Sequence, residues 1–410
     1  MSLYREISPT AGWPIETKSL LPPLFKRLPK GLLEEDFKRY LNAPSALLTY
    51  SGTAAFYLIL ESIKKLSGRK TVIIPAFVCP LIPLAIKKAG LKIIPCDTNR
   101  DNFDFDINKL RQICAKDKDI LAILAVHLAG IPLEMETIGK IAKENNIFII
   151  EDCAQSLGAE YKNKKTGSIG EFSFFSLCRG KGLTIYEGGL AITNQAGYSR
   201  LLEDTGKEIL HQDIFSESLK IAELFAYSIF YRPALFWFAF RLPQIFWRMR
   251  NNPIKAMGEY FEPDFPVHKV SAFREYIGHL YFPHLNKEIA GQREKTDYYL
   301  NALKDLSGIK PITELAQTKA SYPYLTLVFD NPEKRNFALN IFKHSGLGVS
   351  QVYLHAITDY GYLKGIIPEA ACEQARGLAQ KTITLTTSGF LSKPDIEKIV
   401  GKLKEITRQR

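Results

Sequence analysis

Paired cysteines are the first thing this chain lacks. Its six cysteines, Cys79, Cys96, Cys114, Cys153, Cys178 and Cys372, never fall at Cys-x-x-Cys spacing and mostly sit inside apolar runs. That scatter argues against a zinc ribbon or a disulfide framework, and it fits a reducing cytoplasm. The chain opens MSLYREISPTAGWPIE, with no basic segment followed by an apolar core, so no secretory leader is expected. No helix-turn-helix, zinc-finger or RNP pattern occurs, and no repeat of fixed period or low-complexity stretch. The net charge of +11 therefore does not point to nucleic acid. Most lysines lie in mixed patches such as KKLSGRK and NKEIAGQREK, which mark solvated helix faces. What is present is 410 residues, 46% of them hydrophobic and 24% charged. This suits a soluble protein with a large core and about two to three domain-sized units.

Between residues 50 and 195, short apolar runs alternate with helical patterns. TVIIPAF, LKIIPCD, ILAILAVH, IFIIED, FSFFSL and GGLAIT read as strands, and INKLRQICA and EMETIGKIAKENN as amphipathic helices. Continuously apolar strands imply a mostly parallel sheet covered on both faces, hence an α/β fold with a layered large domain. Residues 205 to 262 break the alternation. Helix returns over 265 to 305, followed by strands at SYPYLTLVF, VSQVYL and TITLT, a helix at EKRNFALNIFKHSGLG and a closing helix at PDIEKIVGKLKEI. The expected units are a large α/β domain over 1–204, an aromatic-rich helical insert over 205–262 and a smaller α+β domain over 263–410.

Three separated segments carry chemistry. SGTAAFYLIL offers Ser51 as a helix cap, with the free amides of Gly52 and Thr53 at the positive end of the helix. IFIIED puts Glu151 and Asp152 at a strand end, where open α/β sheets collect ligands, and Gln155 follows. FFSLCRGKGL supplies Ser176 and then Lys181 between two glycines. Singly these are a capped helix, a strand terminus and an exposed turn. Together an amine, a carboxylate and a phosphate cradle are the protein-supplied parts that pyridoxal 5'-phosphate requires.

SGTAAFYL, IIPAFVCP, VHLAGIP, EDCAQSLGAEYKNKKTGSIGEFSFFSL and GKGLTIYEGG, in that order and at similar spacing, resemble the DegT/DnrJ/EryC1/StrS family of pyridoxal-phosphate sugar aminotransferases. The resemblance covers about residues 45 to 200 and resumes at VSAFREYIG, GLGVSQVYLHA and PDIEKIV. It implies a fold-type I aminotransferase, a homodimer with sites at the subunit interface. It further implies Lys181 as the lysine that binds the cofactor aldehyde, Asp152 as partner of the ring nitrogen and Gln155 near the ring hydroxyl. Gly52, Thr53 and Ser176 would hold the phosphate. Where relatives stack an aromatic on the ring, this chain has Cys79, with Phe77 two residues earlier, and both are carried as candidates. The family's Asn-Tyr-Arg segment corresponds to Val267-His268-Lys269, so its asparagine is absent. No metal ligand set is expected.

The expected reaction moves an amino group, from a donor such as glutamate, to a keto sugar that is nucleotide-linked, in polysaccharide or glycoconjugate biosynthesis. Alternatives are a lipid-linked acceptor at a membrane surface, or a non-catalytic regulator. The insert, LKIAELFAYSIFYRPALFWFAFRLPQIFWRMR over 219–250, packs ten aromatics between Phe225 and Trp247. Arg232, Pro233, Arg241 and Pro243 interrupt it, so it is not expected to span a bilayer. Two short helices are expected instead, covering the protein's own core, a dimer partner or a membrane face.

Overall fold

The computed structural model describes residues 5–408. Its central sheet has seven strands: β1 (Ser45–Thr49), β2 (Thr71–Pro75), β3 (Lys92–Cys96), β4 (Ile120–Val126), β5 (Phe148–Asp152), and two further on, β8 (Phe172–Ser176) and β9 (Gly189–Thr193). Between β5 and β8 lie two-residue strands β6 (Glu160–Tyr161) and β7 (Lys164–Lys165). The order across the sheet is β1-β9-β8-β5-β4-β2-β3. Every pair from β3 to β8 is parallel. Only β9 runs against its neighbours. β4 is buried at all seven positions, which is why its sequence, ILAILAV, carries no alternation. Because the parallel strands share one direction, the residues that follow β1, β2, β4, β5 and β8 emerge at the same sheet edge.

Past β9 the chain forms helices at Ala196–Ile209, Ile214–Phe230, Phe236–Met249 and Pro253–Met257. Pro233 lies in the link between the second and third of these. Pro243, expected to break the apolar run, sits inside Phe236–Met249 and the helix continues through it. The helical stretch expected over 265 to 305 is two helices, Ala272–Tyr281 and Leu285–Leu303, joined by a 3-10 turn at Phe282–His284 where Pro283 opens a new first turn. The C-terminal unit carries β10 (Ile309–Ile312), β12 (Tyr324–Phe329) and β13 (Thr382–Thr386) as one antiparallel sheet, while β11 (Thr318–Lys319) pairs with β6. VSQVYL is not a strand. Ser350 makes a single bridge to Thr384, and the Leu354 amide then donates to the Glu259 carboxylate rather than to a ladder.

The expected boundaries do not isolate cores. One apolar cluster runs from Ile74, Leu124 and Phe174 in the large sheet to Leu325, Leu385 and Ile399 in the C-terminal unit. Residues near the N-terminus also cross between units. Glu6 and Ile7 donate to the carbonyls of Pro233 and Gly346, and Ala11 to that of Pro323. Arg5 grips Asp395 in a two-pronged ion pair.

Candidate active site

Lys181 stands half-buried in the loop between β8 and β9. This loop is held as a folded ribbon. Leu177 donates to Gly188 at 2.8 Å and Arg179 to Tyr186 at 2.7 Å, while the Lys181 amide closes a turn on the Cys178 carbonyl. Gly180 has φ +79°, a backbone state that L side chains rarely adopt, and a Cβ there would come 2.9 Å from Thr10 Oγ1. The N-terminal segment thus lies directly on the loop, and the Trp13 amide donates to the Gly182 carbonyl. The lysine between glycines is neither a free surface turn nor buried. It is presented by backbone bonds while its amine stays unpaired by any carboxylate among the described residues.

Asp152, at the end of β5, is 5% exposed. Burial raises its carboxyl to a pKa of about 6, opposed by the Ala154 amide and by the charges of Lys181 and His127. The Ala154 amide donates to Oδ1 at 2.9 Å. A carboxylate so desolvated favours any cation that can reach it. Its neighbour Glu151 points to the opposite face, as the pleat requires. Glu151 accepts from the amides of Gly167, Ile169 and Gly170 and is paired with His127 Nε2 at 3.0 Å. His127, Glu151 and Cys153 lie close enough together to suggest a metal cluster. The donors already on Glu151, and a Cys153 thiol pushed well above its usual range by burial, mark that trio as a brace for the 167–170 loop.

Gly52 and Thr53 open the helix Gly52–Lys64, whose Ser51 cap accepts from the Ala54 amide at 3.1 Å. The helix start is pressed on two strands. A Cβ on Gly52 would lie 3.0 Å from the Ser176 Cβ, and one on Gly189 would lie 2.4 Å from the Gly52 nitrogen. Glycine at both places lets the free amides and the Ser176 hydroxyl share one corner. Gln155 is fixed differently, its Oε1 accepting from the Tyr324 hydroxyl at 2.6 Å and the Ala129 amide at 3.1 Å, so only its amide N–H groups remain to offer.

Gln155, Ser176 and Lys181 line one small cavity together with Trp13, Gln292 and Ser321. The Trp13 indole N–H and the Ser321 hydroxyl are buried with no hydrogen-bond partner. Such groups are costly unless something polar meets them. The cavity holds about 20 Å³, room for one water. Cys79 stands near this group, its thiol raised to about 11 by burial, with Lys181 and Asp152 among the charges acting on it. Phe77 is not gathered with the others. It is 2% exposed, stacked on Phe103 at 6.0 Å and set edge-on to Tyr353 at 5.3 Å.

Sequence reasoning did not find Trp13, Ser321, Tyr324 or Tyr353. None carries a motif, and all but Trp13 come from the C-terminal unit. It also missed Arg274, fully buried, which pairs through Nε with Glu217 at 2.9 Å and donates to the Ile185 and Glu187 carbonyls of the lysine loop. Lys269 is exposed beside His268, whose ring lies 4.3 Å from that of Tyr50. It lines a hollow of about 510 Å³ that contains none of the residues gathered at Lys181. A further cavity, about 420 Å³, is walled by Tyr186, Tyr227, Phe230, Phe236 and Phe240 and reaches Arg179 and Gly180.

The family model described as the DegT/DnrJ/EryC1/StrS aminotransferase family matches residues 30–224 and 268–404. GDP-perosamine synthase from Escherichia coli O157:H7 is 35% identical over 176 residues, 42% of this chain and 47% of that relative. The chain spans about half the length of the curated relatives it matches. Among solved structures, Helicobacter pylori PseC, an aminotransferase involved in the biosynthesis of pseudoaminic acid, superposes with a TM-score of 0.77 at 18% identity, covering 99% of this chain and 100% of its own. A Streptococcus pneumoniae protein in its PLP-form gives a TM-score of 0.75 at 19% identity, with 98% and 99% covered. These likenesses establish the fold, that of the fold-type I aminotransferases.

Proposed function

Because the chain belongs to the DegT/DnrJ/EryC1/StrS aminotransferase family, we propose that it is a pyridoxal-phosphate-dependent enzyme moving an amino group to a keto sugar. The observation that carries this is an amine presented between glycines whose charge acts on a desolvated carboxyl at a strand end, with no bond between the two. The residues present fit the cofactor. Among the described residues no cation touches Asp152, and a protonated ring nitrogen would supply one. The amides of Gly52 and Thr53 and the Ser176 hydroxyl form an anion corner, and Trp13 and Ser321 offer unpaired polar groups beside the lysine. Lys181 would hold the aldehyde carbon, Asp152 the ring nitrogen, Gln155 the ring hydroxyl and the helix start the phosphate. Of the two stacking candidates, Cys79 is the one standing at the site.

When bound, pyridoxal phosphate supplies an electron sink for the pair left as the donor's α-proton departs. Lys181 Nζ takes that proton, and it moves one in the reverse sense when the acceptor is aminated. Asp152 keeps the ring nitrogen protonated, a role that its charged form performs. We take the donor to be glutamate and the acceptor to be nucleotide-linked, supported by the name of the GDP-perosamine synthase relative. A homodimer in the cytoplasm belongs to the same reading, and all six cysteines are free, in keeping with a reducing compartment. Borohydride reduction of the coenzyme-loaded protein, followed by peptide mass analysis, tests the assignment. The tag is expected on Lys181, and a tag on Lys165 or Lys269 overturns it.

One observation favours a second reading. The aromatic cavity of about 420 Å³ beside Gly180 is apolar enough for the hydrocarbon part of a lipid-linked sugar. Competition between a nucleotide sugar and a prenyl-phosphate sugar for turnover separates the two acceptors.

A further inference from the structure

Residues 225–267 fall between the two stretches matched by the family model, so the end of the helix Ile214–Phe230 and all of Phe236–Met249 lie outside what the family model describes. Up to Gly258 the charge there is one-sided, with Glu259, Glu262 and Asp264 following. From Leu224 to Gly258 there is no aspartate or glutamate, while Arg232, Arg241, Arg248, Arg250 and Lys255 are all present. Arg241 turns inward to Glu6, and it alone of the five has a carboxylate partner among the described residues. Arg250 instead lies over the Phe246 ring at 4.3 Å, and Lys255 over Trp247 at 4.9 Å and Tyr260 at 4.5 Å.

The apolar side chains divide by face. Within Phe236–Met249, Phe236 and Phe240 stack on each other and wall the inner cavity, and Gln244 is buried. Phe238, Leu242, Phe246 and Met249 recur at helical spacing on the other side and are 44%, 48%, 47% and 83% exposed. In the helix before it, Ile214, Phe215 and Leu219 are exposed as well, as are Leu24 and Phe25. The first helix has 17 residues and the second 14, and among the described residues no helix is long and apolar enough to cross a membrane. An aromatic stripe rimmed by unpaired cations is the composition of a helix that lies in a lipid interface. A two-fold related copy is a poor cover, since it would set the same cations against one another.

We propose that the outer face of the helices Ile214–Phe230 and Phe236–Met249 docks on an anionic lipid surface, with Phe246 and Met249 entering the headgroup layer and Arg248 and Arg250 meeting lipid phosphates. The docking is independent of the reaction, so turnover of a soluble acceptor can fail or succeed without bearing on it.

Flotation of the whole protein with vesicles tests it, using phosphatidylcholine alone and phosphatidylcholine mixed with phosphatidylglycerol. Wild type should float with the anionic vesicles, poorly with the neutral ones, and less as salt is raised. Arg248→Gln with Arg250→Gln should weaken partition by about thirtyfold, two juxtamembrane cations' worth. Met249→Ser, at a fully accessible position, should weaken it without altering the melting temperature. The proposal is overturned if wild type ignores anionic vesicles, if neutral vesicles bind as well, or if both variants float like wild type. It is equally overturned if Met249→Ser turns a wild-type dimer into a monomer in sedimentation, which would make a second copy the occupant.

Discussion

The lysine loop and the aromatic helix pair touch, yet they are built on opposite rules. Around Lys181 the loop is tied by backbone bonds, Gly180, Gly188 and Gly189 sit where a Cβ would collide, and the unpartnered Trp13 and Ser321 groups belong to residues lining one cavity. Across Phe236–Met249 only Gln244 is buried, and large apolar side chains stand in water beside cations without counter-charges. The first region is held by its own chain, whereas the second leaves apolar side chains at the surface. The hinge between them is Arg274. It ties Glu217 on the first insert helix to two carbonyls of the lysine loop.

The largest effect expected is on the loop. Lys181→Ala should lower turnover by about 10³-fold or more and remove the coenzyme's visible absorbance, with circular dichroism unchanged. Residual turnover within tenfold of wild type would return Lys181 to the status of a turn residue. Next is the hinge. Arg274→Met strands the Glu217 carboxylate in the interior and should cost about 3–5 kcal/mol in denaturant unfolding. A loss below about 1 kcal/mol would mean the two regions are not coupled through it.

Asp152 sharpens the comparison through pH. Its folded pKa is about 6 against an ordinary 3.8. Between those values the folded chain keeps a proton that the unfolded chain has released, so its contribution to stability falls as pH rises through that window. Asp152→Asn should therefore stabilise coenzyme-free protein near pH 7 by about 2–3 kcal/mol and leave it unchanged near pH 4, while activity drops about 10²-fold. Equal stability at both pH values would refute the desolvation account. The smallest effect belongs to the outer face, where Met249→Ser should change unfolding free energy by no more than about 0.5 kcal/mol. A larger loss would show the stripe to be core.

The strands TVIIP, ILAILAV, FIIED and FSFFS were legible because a buried parallel strand needs an unbroken apolar run and little else decides it, and antiparallel GLAIT because it too is buried throughout. VSQVYL read as a strand by the same token and is not one, since whether a β-rich segment pairs depends on which edge it meets. Asp152, Ser176 and Gly52 sit at strand or helix ends, where local sequence puts them, and Gln155 and Lys181 follow in the loops beyond. Phe77, two residues before Cys79, packs against Phe103 and Tyr353, contacts that no local pattern shows. Trp13, Ser321, Tyr324 and Tyr353 were invisible, for contacts across 140 or more residues leave no local periodicity.

The sequence by itself determined the kind of fold and the family and supplied the candidate site groups, because helix starts, strand ends and glycine turns are local choices of backbone and side chain. Only the tertiary structure decided which of those groups share a corner and that Asp152 is desolvated while Glu151 is spent on the 167–170 loop. It also decided that ten aromatics divide into an inner wall and an outer face. Those outcomes depend on which surfaces exclude water when distant segments pack, and no stretch of chain carries that information alone.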